Sequence, residues 1–123
     1  MATTIRLSPD PGNVRKARIF VAEQLRSRDF DDDTVAGAVL CTSELVTNVF
    51  FHARTDVAIT VRTTEDAARV EVSDGTSVLP GVRDLIDPAA TAGRGLHLVE
   101  AVSTAWSMRS DDKGKTVWFE VER

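Results

Sequence analysis

Little in this chain of 123 residues could cross-link it or clamp a metal. Its one cysteine, Cys41, has no partner for an internal disulfide, and the only further soft ligands are two histidines, which argues against a structural zinc site. The opening stretch MATTIRLSPD lacks the basic-then-apolar pattern of a secretory leader. No apolar run approaches the roughly 18 residues that suggest a membrane span, and no internal repeat or low-complexity block appears. The expected setting is therefore the cytoplasm, without a membrane. A net charge of −4 and a pI near 5.1 argue against nucleic acid as a direct partner.

What is present fits one ordinary globular domain over 1–123. Apolar residues make up 42% and charged residues 28%, and the length is too short for two independent cores. The charge is uneven. Residues 1–28 hold six basic side chains against Asp10 and Glu23, about +4, which leaves about −8 for the rest. That basic end reads as a solvated helix face or as a docking surface.

The periodicity predicts an edge strand at 4–8 and a helix to about Arg28, capped by Asp10 or Asn13. Val14, Ala17, Val21 and Leu25 form its apolar stripe, with Ile19 less well placed. Asp31, Asp32 and Asp33 sit where acidic residues favour a helix start, ahead of a long helix over about 34–53. Alternating runs at 57–62 and 68–75 read as a hairpin joined by TTEDA. Residues 76–92, broken by Pro80, Gly81 and Pro88, have no period and read as a functional loop or lid. A short helix at 95–102 and two closing strands, near 104–110 and 115–122, complete the chain. Helices first, then a helix among strands, predict an α+β fold: a two-layer sandwich, a mixed sheet with helices on one face.

The long helix carries an unexpected second stripe. Thr42, Leu45, Val46, Val49, Phe50 and Ala53 fall on one apolar face at 3.6 residues per turn. Gly37, Cys41, Glu44, Asn48 and His52 line another, roughly 130° away. This edge is either solvated or the wall of a site. Two other features could belong to the same site. Asp74 shares parity with Val70 and Val72, so it continues the inward face where the strand ends. It is either a turn aspartate before Gly75 or an acceptor for an exocyclic amine such as adenine supplies. The glycines of AGRGLHLV, from Ala92, either open a helix or let amides approach an anion. No GK[ST] follows, so this is not a Walker loop.

Taken in order, ELVTN with HA at 44–53, VSDG at 72–75, GRGLHLVEAV at 93–102 and GKTVWFEV at 114–121 resemble the GHKL, or histidine-kinase-like, ATPase fold. Within it the chain is most similar to the small anti-sigma factor serine kinases of the stand-alone actinobacterial type. The resemblance implies ATP and Mg2+ as cofactors. It assigns Asn48 to magnesium and the phosphates, Glu44 to activation of a substrate serine hydroxyl, and His52 to a position facing the phosphates. Asp74 would take the adenine amine, with Gly75 permitting close approach. Gly93, Arg94, Gly95 and Leu96 would close over the phosphates beside a lid at 76–92. Implied partners are a sigma factor, a STAS-type anti-anti-sigma protein and a second copy in a homodimer. Two alternatives remain: a nucleotide-gated adaptor without transfer activity, and simple hydrolysis with Glu44 activating water.

Three departures from the family pattern stand out. Thr76-Ser77 follow Asp74-Gly75 where histidine kinases usually have a further glycine. Lys115, rather than Thr116, lies on the inward register of the last strand. Phe50 and Phe51 make a bulky pair inside the first motif.

Overall fold

The computed structural model describes residues 1–75, 91–111 and 114–123, apart from the side chains of 91–96 and 111. Strand β1 (Ala2–Leu7) leads to helix α1 (Asn13–Arg26) and helix α2 (Asp32–Asn48), which runs on into a π-helical turn over Val49–Ala53. Strands β2 (Val57–Thr63) and β3 (Ala67–Ser73) follow. Helix α3 (Thr91–Val102) and strands β4 (Ala105–Asp111) and β5 (Gly114–Glu122) close the fold. Of the loop expected at 76–92, residues 76–90 lie outside the described residues, and Thr91 and Ala92 belong to α3 instead.

The sheet order is β1-β2-β3-β5-β4. The α+β two-layer architecture is the one expected. All four pairings are antiparallel, against the mixed sheet expected from sequence. The physical reason lies in β5. Strands β3 and β4 point the same way, as a helical crossover produces, but β5 inserts between them and bonds antiparallel to both.

Alternation builds the core. Val57, Ile59 and Val61 of β2, Val70 and Val72 of β3, and Phe119 and Val121 of β5 point to the helical layer and are buried. They meet Ala17, Val21 and Leu25 of α1 and Val35, Ala38, Leu45 and Val46 of α2. Burying each large apolar side chain of this kind contributes roughly 1.5–3 kcal/mol. Ile19, out of step with its stripe, is 46% exposed. Thr42 enters the core fully buried because its hydroxyl donates to the Ala38 carbonyl at 2.8 Å.

Two helix starts show how capping is settled. Asp31 caps α2, accepting from the Thr34 amide at 2.7 Å, and those hydrogen bonds hold its carboxyl below the usual range. At α1 the cap is Gly12, not Asp10 or Asn13. Asp10 instead accepts from the Gly12 amide, and the Asn13 side chain donates to the Ser8 carbonyl, so both are spent on the preceding turn.

The span Asp32–Ala53 is long and apolar enough, by length and composition, to cross a membrane, although charged and polar residues interrupt its apolar run. In this fold its apolar face packs on β3, β5 and α1 as a core helix.

Candidate functional site

Helix α2 does divide into two faces, but the second is not one continuous wall. Cys41 is fully buried. Gly37 is half-buried, and a Cβ there would stand 2.8 Å from Val102 Cγ1 of α3. The N-terminal half of the stripe is therefore a seam between two helices, closed by the absence of a side chain at Gly37. The C-terminal half is different. Glu44 and Asn48 are half-buried and project one turn apart. Val102 at Gly37 fixes where the C-terminal end of α3 meets α2, and the two helices pack against each other.

The backbone corrects one expectation here. The short helix expected at 95–102 begins earlier: α3 starts at Thr91, so Gly93 and Arg94 are already helical. The free amides of a helix start still favour an anion there.

Asn48 Oδ1 is buried and has no hydrogen-bond partner among the described residues. A buried amide oxygen left without a donor costs about 1–3 kcal/mol. Hard cations take oxygen ligands, and magnesium uses few protein ligands when phosphates supply others. Among the described residues no cluster of three carboxylates, histidines or cysteines could hold a metal by itself. One orphaned oxygen beside a phosphate-bearing ligand fits magnesium.

Glu44 makes no hydrogen bond or ion pair with any described residue. Its charge is felt at Cys41, whose thiol is pushed up to about 12, first by burial and second by the Glu44 carboxylate. The unfolded chain sheds this proton near pH 9.0, whereas the folded chain keeps it to about 12. The contribution is thus intact below pH 9 and lost as pH rises through that window. Relative to Cys41→Ala, wild-type stability is expected to fall by roughly 1.4 kcal/mol per pH unit above pH 9. Urea denaturation at pH 8, 9 and 10 measures it; a constant difference between the two proteins would contradict the assignment.

The end of the first motif winds differently from expectation. The Arg54 amide bonds to the Val49 carbonyl five residues back, and Arg54 adopts a left-handed conformation, φ 56°. Phe50 enters the core, as the helical count expects, while Phe51 is 64% exposed. His52 is exposed too, with no bonded partner among the described residues, so its step of four from Asn48 does not put it in the same enclosed wall. Such turns recur at functional sites.

Just beyond, Thr55 accepts the Gly75 amide at 2.9 Å, tying the first motif to the Asp74–Gly75 corner. Asp74 is inward, as its parity required, with its side chain wholly buried. Lys115 meets it: Nζ stands 3.3 Å from Oδ2, while the Lys115 amide donates to Oδ1 at 3.3 Å. The Asp74 amide in turn donates to the Lys115 carbonyl at 2.9 Å. Sequence reasoning put Lys115 on the inward face but not opposite Asp74. Register decides that, and Ser73 pairs with Thr116 on the outer face through hydroxyls 2.8 Å apart.

A depression of about 500 Å³ opens on the face of the sheet away from the described helices, between Arg6 and Arg109, reaching the same corner. It excludes Glu44 and Asn48, which lie in the helical layer, so the candidate site is placed on the helical side.

The histidine kinase-like ATPase domain family matches residues 7–121, and the chain belongs to that family, which implies ATP as its ligand. No curated protein matches it. Among solved structures it is similar to the RsbU and RsbW domains of Rv1364c from Mycobacterium tuberculosis, with a TM-score of 0.76 and 18% identity. The match covers 100% of this chain and 33% of that one, so the chain spans a third of the length of its structural relative. At that identity the likeness shows the fold.

Proposed function

We propose that this domain is an ATP-dependent protein serine kinase of the anti-sigma type, acting in the cytoplasm as a homodimer. Its substrate is a STAS-type anti-anti-sigma protein, and it also sequesters a sigma factor, so that transcription responds to partner switching. One observation carries the reading: a carboxylate with no described partner, Glu44, one turn from the orphaned, buried oxygen of Asn48.

Phosphoryl transfer is chiefly positioning and charge neutralisation. Glu44 accepts the proton of the serine hydroxyl as its oxygen bonds to the γ-phosphorus and the bond to the bridging β–γ oxygen breaks, releasing ADP. Asn48 offers Oδ1 to a magnesium ion, which when bound neutralises phosphate charge. The start of α3, whose free amides end at Gly93, is assigned to the phosphates together with the adjoining Arg94, Gly95 and Leu96, and Asp74 accepts from the adenine amine beside Gly75. His52, exposed in this fold, is assigned to the phosphate entrance.

The partner surface is proposed on α1. A groove of about 360 Å³ between α1 and α2 has Ile19 and Val39 on its floor and Arg15, Arg18 and Arg26 around it. An apolar floor with a cationic rim fits an acidic protein partner.

Calorimetry with ATP, with and without magnesium, tests the nucleotide site. Wild type is expected to bind in a magnesium-dependent way, and Asn48→Ala to lose at least about tenfold in affinity with its magnesium dependence abolished. Transfer is tested by incubating the protein with Mg-ATP and its antagonist. If the antagonist binds normally and its serine is never phosphorylated, the kinase reading fails. The adaptor reading then takes its place, favoured by the lysine already seated on Asp74.

A further inference from the structure

The base end of the site contains a group that an adenine reader does not need. We propose that Lys115 is a base-specificity residue. With Asp74 it forms a donor–acceptor pair that accepts 6-oxopurine nucleotides nearly as well as ATP. This rests on Asp74 being the base acceptor.

The pair is built in, not incidental. Lys115 is the cross-strand neighbour of Asp74 on the inward face, bound to it through its ammonium and through both backbone groups. The Lys115 side chain is 17% exposed and that of Asp74 is 0% exposed, so the contact is not a solvent-screened surface bridge. An ammonium carries three donors and a carboxylate about four acceptor sites, so their contact with each other does not by itself exhaust either group.

A carboxylate alone is a one-sided reader. It accepts from the 6-amino group of adenine and repels the 6-oxo group of hypoxanthine or guanine, which places an acceptor at that position. Sites that bond one polar group typically reject the wrong partner by about 10⁴–10⁵-fold, because buried groups are left without partners. The ammonium removes that asymmetry. Adenine presents a donor at position 6 beside the N1 acceptor. Hypoxanthine presents an acceptor at position 6 beside the N1 proton. A carboxylate and an ammonium 3.3 Å apart can satisfy either edge, with the base shifted by one group. The flexible four-carbon stem of lysine allows that shift.

Equilibrium binding of Mg-ATP and Mg-inosine triphosphate to the full chain tests the proposal, since the two differ only at this edge. Wild type is expected to bind them within about tenfold of each other, and Lys115→Met to widen the ratio to about 10²-fold or more by losing inosine triphosphate. Lys115→Arg, which keeps a cation, is expected to stay near the wild-type ratio; widening there too would assign the effect to strand packing and overturn the proposal. A wild-type preference for ATP beyond about 10²-fold also overturns it, whether or not the methionine variant folds, while leaving the ATP site intact. If wild type binds neither nucleotide, the nucleotide reading fails and takes this inference with it.

Discussion

Glu44→Gln is expected to lower phosphoryl transfer to a bound serine substrate by about 10²–10⁴-fold, the usual contribution of a positioned base, with ATP affinity changed less than about threefold. The asymmetry follows from where Glu44 sits. It is half-buried on α2, one turn before Asn48, and no described residue bonds to it. Its replacement by the isosteric amide therefore breaks no described hydrogen bond in the fold. What is lost is the ability to take a proton as the hydroxyl oxygen attacks. Single-turnover transfer of labelled phosphate measures the first effect, and calorimetry the second. An equal fall in both would mean that Glu44 helps hold the nucleotide. An internal control exists at Cys41, whose raised pKa owes its lesser part to the Glu44 charge. In the Gln variant that thiol should ionise at lower pH, still well above the ordinary range because burial remains.

Much of this site was legible because it obeys period. Asp74 could be placed inward by counting from Val70 and Val72, and Lys115 by counting back from Val117 and Phe119; both lie where parity puts them. The apolar face of α2 was equally readable, since Leu45, Val46, Val49 and Phe50 are all buried. What could not be read depends on partners. Gly37 and Cys41 look like a site wall until α3 is seen lying against that edge, and only tertiary packing supplies α3. The Lys115–Asp74 contact needs the register of β3 against β5, which alternation alone leaves open by steps of two. The π-turn leaves no trace in an α-helical count, and within it His52 and Phe51 face solvent. Family membership rests on ordered motifs. The assigned chemistry rests on whether Glu44, Asn48 and Asp74 converge on one ligand, which mutagenesis can decide.

The second large effect is structural and reaches the site through one backbone position. Gly114 opens β5 with φ 149°, a conformation open to glycine and strained for any L side chain. A Cβ there would stand 1.9 Å from the Asp74 carbonyl oxygen and 3.0 Å from its carbonyl carbon. Neither atom can rotate aside, because both are backbone, so the strand must move. Gly114→Ala is expected to cost about 1–3 kcal/mol for the forced dihedral and about 1–3 kcal/mol for the overlap. A denaturation midpoint lower by on the order of 10 °C follows for a domain of this size. Gly12→Ala is the matched control. Its added Cβ meets Asp10 Oδ1 at 3.4 Å, an ordinary contact, and its φ is −63°. That variant should stay within about 1 kcal/mol of wild type. The site adds a second readout. Displacing residue 114 moves Lys115, so Gly114→Ala should also weaken ATP binding at temperatures where the variant remains folded. A variant that melts like wild type and binds ATP normally would show that β5 and the Asp74 corner do not approach as closely as this backbone places them.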